Sequence, residues 1–153
     1  MTPDENTIIL CCTDFSENAS KAFDYAVDAA ARRPNSQLHL LNVIPEPDSQ
    51  FWKSYIYQAD IDVDAKAKQD IDARVDQEYR PRIPEGVTFV TAFRIGRDYE
   101  KILEYAQEIH ATLIVLGRQG ANNSKLRNFF FGNVAERVAS RASCAVLVVP
   151  PVK

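Results

Sequence analysis

Two kinds of segment alternate along the chain. Thr7-Ile8-Ile9-Leu10-Cys11-Cys12-Thr13 is apolar almost throughout and has no polar face, the pattern of a strand buried on both sides. Asp14-Phe15-Ser16 interrupts it. Ser16 is placed to cap a helix whose apolar positions Ala22, Phe23, Ala26, Val27 and Ala30 follow one helical face. Pro34-Asn35-Ser36 ends that helix, and 38–43 predicts a second strand stopped by Pro45-Glu46-Pro47. From 60 to 79 the pattern is helical, with Ala67, Ile71 and Val75 four residues apart. Pro81 and Pro84 close it, Gly86 turns the chain, and 87–93 is a third strand. Gly96 turns again, and Asp98 is expected to cap a third helix with Ile102, Leu103, Ala106 and Ile109 on its inner face. A fourth strand over 112–116, a loop from Gly117 to Gly132, a fourth helix over 133–141 and a fifth strand over 145–149 complete the series.

Apolar strands alternating with amphipathic helices predict an α/β fold: a doubly wound, Rossmann-like five-stranded parallel sheet with helices on both faces. Right-handed crossovers make the winding reverse once, and a crevice opens there beyond the strand C-termini, where ligands bind. Residues 46–60 carry Phe51, Trp52, Tyr55 and Tyr57 without a clear period. They read as a loop or short helix over the crevice mouth or a dimer flank. The 153 residues suit a single domain over 1–153.

Composition narrows the function. The net charge is −3 with no basic stripe, which argues against nucleic acid. The N-terminus, Met1-Thr2-Pro3-Asp4-Glu5-Asn6, is polar and acidic rather than signal-like. The apolar runs fall far short of the ~20 residues that cross a bilayer, so no membrane insertion is expected. Cys11, Cys12 and Cys144 are odd in number, lack C-x-x-C spacing and sit in or beside apolar runs, as buried thiols in a reducing cytoplasm would. His39 and His110 are not spaced as metal ligands, and no metal is expected. Neither a G-x-S-x-G elbow nor a P-loop is present, so no catalytic residues are assigned.

Specialised chemistry concentrates at two strand ends. Asp14 follows the first strand. The stretch from Gly117-Arg118-Gln119-Gly120 to Gly132-Asn133 follows the fourth and holds three of the five glycines. Glycine lets backbone N–H groups approach an anion, and the helix beginning at Asn133 adds its positive dipole end. Lys125 and Arg127 could neutralise phosphate charge. The loop thus reads as a phosphate cradle, or as glycines that merely turn the chain out of a strand. Asp14 reads as a ligand contact or as a helix cap. Phe129-Phe130-Phe131 reads as packing on the sheet or a partner, or as a stacking platform.

Gly117-x-x-Gly120, a spacer, and then Gly132-Asn133-Val134-Ala135-Glu136-Arg137-Val138 resembles the nucleotide-binding signature of the universal stress proteins. Thr13-Asp14-Phe15-Ser16-Glu17-Asn18 is similar to that family's opening, and Cys144-Ala145-Val146-Leu147-Val148-Val149-Pro150 to its closing strand. The likeness runs in order along essentially the whole chain. It implies a five-stranded parallel sheet, a homodimer formed through the last strand and, in many members, bound ATP. The leading reading is a cytoplasmic stress-response regulator, not an enzyme, whose state depends on ATP or AMP, with or without magnesium. By position, Asp14 would sit by adenine and ribose, and Val43 would meet the adenine edge through its backbone. Gly117 and Gly120 would line the ribose and inner phosphates. Gly132, Asn133 and the N–H of Val134 would hold the terminal phosphates.

Two departures stand out. The spacer from 121 to 131 makes eleven residues, longer than the family's usual one, and Asn133 replaces the usual Ser or Thr. An Asn amide can still donate to phosphate and cap a helix. Two other readings remain open. One is a slow ATPase or phosphotransfer protein using Asp14, Lys125 and Arg127. The other is a nucleotide-free dimer, which the long spacer favours. A homodimer also follows from the residues: 143–149 carries no charge and would form an apolar sheet edge that another copy could pair with.

Overall fold

The apolar runs lie side by side and point the same way. The computed structural model describes residues 6–45, 63–118 and 134–151. Its strands are β1 (Ile8–Thr13), β2 (Gln37–Pro45), β3 (Thr88–Gly96), β4 (Leu113–Gly117) and β5 (Ala145–Val149). They form a five-stranded sheet in the order β3-β2-β1-β4-β5, parallel at every pairing. The helices are α1 (Glu17–Ala31), α2 (Val63–Glu78), α3 (Asp98–Ile109) and α4 over 134–141, with a 3-10 turn at Arg80–Arg82. The doubly wound α/β fold expected from the pattern is the observed one.

Alternation along the strands splits the core into two layers. Ile9 and Cys11 of β1 with Leu38 and Leu40 of β2 pack on Ala22, Phe23, Ala26 and Ala30 of α1, and on Val75 and Tyr79 at the end of α2. On the other face Leu10, Leu41, Ile114 and Leu116 meet Ile102, Tyr105 and Ala106 of α3, and Val134, Ala135 and Val138 of α4. Phe23 is fully buried and stacks edge-on to Tyr79, with ring centroids 4.7 Å apart. Cutting it to alanine would cost about 3–5 kcal/mol.

The boundaries have local causes. Ser16 caps α1 as expected, its side chain accepting from the Ala19 N–H at 3.0 Å. The helix stops where Asn35 takes a left-handed φ of 58° and the Ser36 hydroxyl donates to Ala30 O and Arg33 O. The cap of α3 differs from expectation. Arg97 holds the cap position without a side-chain capping bond, and Asp98 is already helical, its Oδ1 accepting from the Tyr99 N–H at 2.8 Å. An acidic first turn still suits the helix dipole, so the residue type fits one position later. β2 and β3 also run further than the pattern suggested, because their parallel register continues to Ile44 opposite Ile95 and Pro45 opposite Gly96. Pro45 is then the last strand residue, which suits a residue with no N–H to offer a further rung.

The link from α2 to β3 fastens onto α1. Arg82 reaches the Ser20 hydroxyl (3.0 Å), the Ser20 carbonyl (2.7 Å) and Asp24, while its guanidinium lies over the Phe23 ring. Three fixed acceptors and an aromatic face suit a planar guanidinium better than an ammonium group.

Candidate functional site

Winding reverses between β1 and β4. These two strands are neighbours, and the helices that come after them, α1 and α4, pack on opposite faces of the sheet. In a parallel sheet that is where a crevice opens past the strand C-termini. Thr13 and Asp14 lie there at the end of β1, and Gly117 ends β4.

The turn after β1 is tightly held. The Thr13 hydroxyl accepts from the Phe15 N–H at 2.9 Å and shares a 2.6 Å hydrogen bond with the Tyr79 hydroxyl. The Thr13 carbonyl accepts from Asn42 Nδ2 at 2.8 Å, which ties the end of β1 to β2. Phe15 takes a φ of 63°, left-handed for a non-glycine residue, and lies beneath the Arg74 guanidinium at 4.2 Å. Asp14 Oδ1 accepts from the Ser16 N–H at 3.0 Å, an Asx turn that leads the chain into α1. Asp14 therefore braces the start of the helix, while Ser16 is the cap.

Val43 stands near the end of β2, half-buried against the α3-side core and opposite Arg94 in β3. Gly117 is buried. A Cβ there would come within 2.8 Å of Asn18 Cγ and 2.9 Å of its Oδ1. The next residue, Arg118, donates its N–H to Val149 O at 2.8 Å. Val134 begins the described part of α4 and packs into the α3-side core. The structure therefore sets Asp14 and Gly117 at the ends of adjoining strands, with Val43 near the end of the next. Gly120, Gly132, Asn133, Lys125, Arg127, the aromatics from Phe51 to Tyr57 and Phe129 to Phe131 lie outside the described residues.

Sequence reasoning passed over Asn18, Asn42 and Tyr79. Asn18 had a legible signal. It stands four residues before Ala22 on the apolar stripe of α1 and is buried. A polar residue there needs a partner. Its Nδ2 donates to Val149 O and Pro150 O, both at 3.1 Å.

Titratable groups are arranged for structure. Burial raises the Cys11 thiol well above its ordinary 9.0 and pushes the Cys12 thiol up to about 12. His39, on β2, has both ring nitrogens engaged. With Nε2 donating to Gln37 Oε1 (3.1 Å), Nδ1 accepts from the Tyr105 hydroxyl (2.8 Å). Burial holds this histidine below its ordinary 6.5. Among the described residues no group of His, Cys, Asp and Glu is placed to hold a metal ion. No helix among them is long and apolar enough to cross a membrane. A cleft of about 170 Å³ lies at the other end of the sheet, between α3 and the residues leading into β4 and β5, away from the switch point.

Comparison with known proteins adds a further finding. The family model described as the universal stress protein family matches residues 5–150. A protein of Staphylococcus haemolyticus (strain JCSC1435), named for that family, is 33% identical over 144 residues, spanning 92% of this chain and 82% of its own length. Among solved structures, the universal stress protein UspA from Lactobacillus plantarum superposes with a TM-score of 0.73 at 27% identity, over 94% of this chain and 97% of that one. A universal stress protein in complex with cAMP gives 0.61 at 22% identity, over 94% and 96%. The Archaeoglobus fulgidus protein in complex with dAMP gives 0.62 at 19%, over 95% and 98%. At those last two identities the likeness is one of fold.

Proposed function

Because this chain belongs to the universal stress protein family, we propose that it is an adenine-nucleotide-binding module of the stress response, a single domain over 1–153 that binds rather than transforms its ligand. The carrying observation is the placement of Asp14 and Gly117 at the ends of β1 and β4, where the winding reverses. Solved proteins of the same fold in complex with cAMP and dAMP support an adenosine monophosphate core as the recognised unit. ATP is the proposed ligand, with magnesium or without it. Asp14 is assigned to adenosine and the backbone of Val43 to the adenine edge. Gly117 and Gly120 line the ribose and inner phosphates, and Gly132, Asn133 and the Val134 N–H hold the terminal phosphates.

A binding role accords with the engaged histidine His39 and the buried Cys11 thiol, since both are committed to the core, whereas Cys12 and Cys144 are only half-buried. Three free cysteines suit a reducing cytoplasm. The reading includes a homodimer through β5, whose exposed Leu147 and outer side, unpaired among the described residues, could receive a second copy.

Mass spectrometry of the purified, denatured protein should release an adenine nucleotide, and calorimetry should show ATP binding. Asp14→Ala should weaken ATP, ADP and adenosine alike, because its contact lies away from the phosphates. A loss confined to ATP would assign Asp14 to phosphate or magnesium instead. Protein that neither carries nor takes up any adenine nucleotide would refute the reading and favour the nucleotide-free dimer.

A further inference from the structure

Asn18 lies on the first turn of α1 and is 5% exposed. It does two things at once. Its Nδ2, which has two hydrogens, spans the carbonyls of Val149 and Pro150 at 3.1 Å each. Its Cγ and Oδ1 fill the space that a side chain at position 117 would need. A Cβ at 2.8 Å from Cγ is closer than packed atoms tolerate, and the short Asn18 side chain is buried and held by its two hydrogen bonds. The same junction receives two further donors: Arg118 N–H to Val149 O at 2.8 Å, and Lys21 Nζ to Pro150 O at 3.2 Å. The ends of β4 and β5 are thus drawn to the first turns of α1.

We propose that Asn18 is the positioning residue of the switch-point crevice: it locks the ends of β4 and β5 to α1, and position 117 is glycine to admit Asn18 rather than a ligand. The affinity part of this inference rests on the adenine-nucleotide reading. The steric part stands without it. Two consequences separate the roles. The size of Asn18 forbids a side chain at 117. Its donor hydrogens hold the edge strand in place.

The test is a double-mutant cycle on full-length protein, read by thermal unfolding without ligand and by calorimetry with ATP. Gly117→Ala alone should lower the unfolding temperature and weaken ATP roughly tenfold or more, the scale of one lost buried hydrogen bond. In the Asn18→Ala background the same change at 117 should cost almost nothing in either readout. Asn18→Asp keeps the size but turns an acceptor toward two carbonyls. It should weaken ATP at least as much as Asn18→Ala. If, in the Asn18→Ala background, Gly117→Ala no longer lowered the unfolding temperature but still weakened ATP, the proposal would be overturned, because the ligand itself would then need the bare backbone at 117. Unaltered behaviour of Gly117→Ala would overturn it too. If wild-type protein binds no ATP, the nucleotide reading fails on that measurement and the unfolding cycle alone decides. Additive temperature shifts would then refute the coupling, and non-additive ones uphold it.

Discussion

Thr13 and Tyr79, 66 residues apart, bring their hydroxyls to 2.6 Å and so fasten the end of α2 to the last residue of β1. The Thr13 oxygen also receives the Phe15 N–H. Tyr79→Phe removes one of these bonds and should cost about 1 kcal/mol in denaturant unfolding. Thr13→Val removes both and leaves the Phe15 N–H unpaired, so it should cost more, about 2–3 kcal/mol. Equal losses would mean that the turn N–H finds another acceptor.

Stability should fall in alkali. Burial pushes Tyr79 up from its ordinary 10.0 to about 12, against the opposing pull of its Thr13 bond, and burial moves Cys12 from 9.0 to about 12. The unfolded chain therefore loses these protons at lower pH than the folded one. Their stabilising contribution is complete below pH 9, declines from there as the unfolded thiol and then the unfolded phenol ionise, and is gone by about pH 12. Denaturant midpoints measured against pH should show this decline, and Tyr79→Phe should remove the part that begins near 10.

The acid side depends on His39. Its folded value lies below 6.5 because burial disfavours the imidazolium. Stability is complete above 6.5 and falls as pH drops toward the folded value, because the unfolded chain takes up the proton first. Protonation would make both ring nitrogens donors, set against the Tyr105 hydroxyl and the Arg94 guanidinium 5.0 Å from the Tyr105 ring, itself paired with Glu108. His39→Gln should lower stability at neutral pH and flatten its dependence just below 6.5. An unchanged slope would assign the acid loss elsewhere.

The edge strand offers a clean test of assembly. Leu147 is 38% exposed, whereas Val148 packs on the α3-side core. Leu147→Lys should leave the fold within about 0.5 kcal/mol of wild type while shifting light scattering from dimer toward monomer. Val148→Lys would bury an ammonium in the core and unfold the chain, so it would not report on pairing. A wild type already monomeric at micromolar concentration would rule out the β5 dimer.

The sequence pattern located each of the five strands, because a strand buried on both faces has no polar side to confuse its period. It also placed Ser16 as the α1 cap, since a serine before an apolar stripe has a direct mechanical reason to be there. The Asp98 cap was off by one position, because an acidic residue favours both the cap and the first turn. The ends of β2 and β3 were hidden because the register of a partner strand, not local composition, decides how far pairing continues. At the crevice, Asp14 and Gly117 were visible as residues between elements. The bonds through Asn42 and Tyr79 join segments far apart in sequence, and no local pattern encodes such a meeting; the place of Asn18 on the apolar stripe marks its need for a partner but not which one.

The central position of β1 also bears on how the chain comes off the ribosome. Its first partner, β2, follows at once, but its other neighbour is β4, and the Ile8 N–H has no Thr112 Oγ1 to donate to until 104 residues later. Until then β1 presents one apolar, unpaired flank, so the nascent half-sheet is an open template for mispairing. Closure of so distant a seam is slow compared with local helix formation. Pauses in translation before β4 emerges should therefore raise aggregation, whereas pauses after it should not.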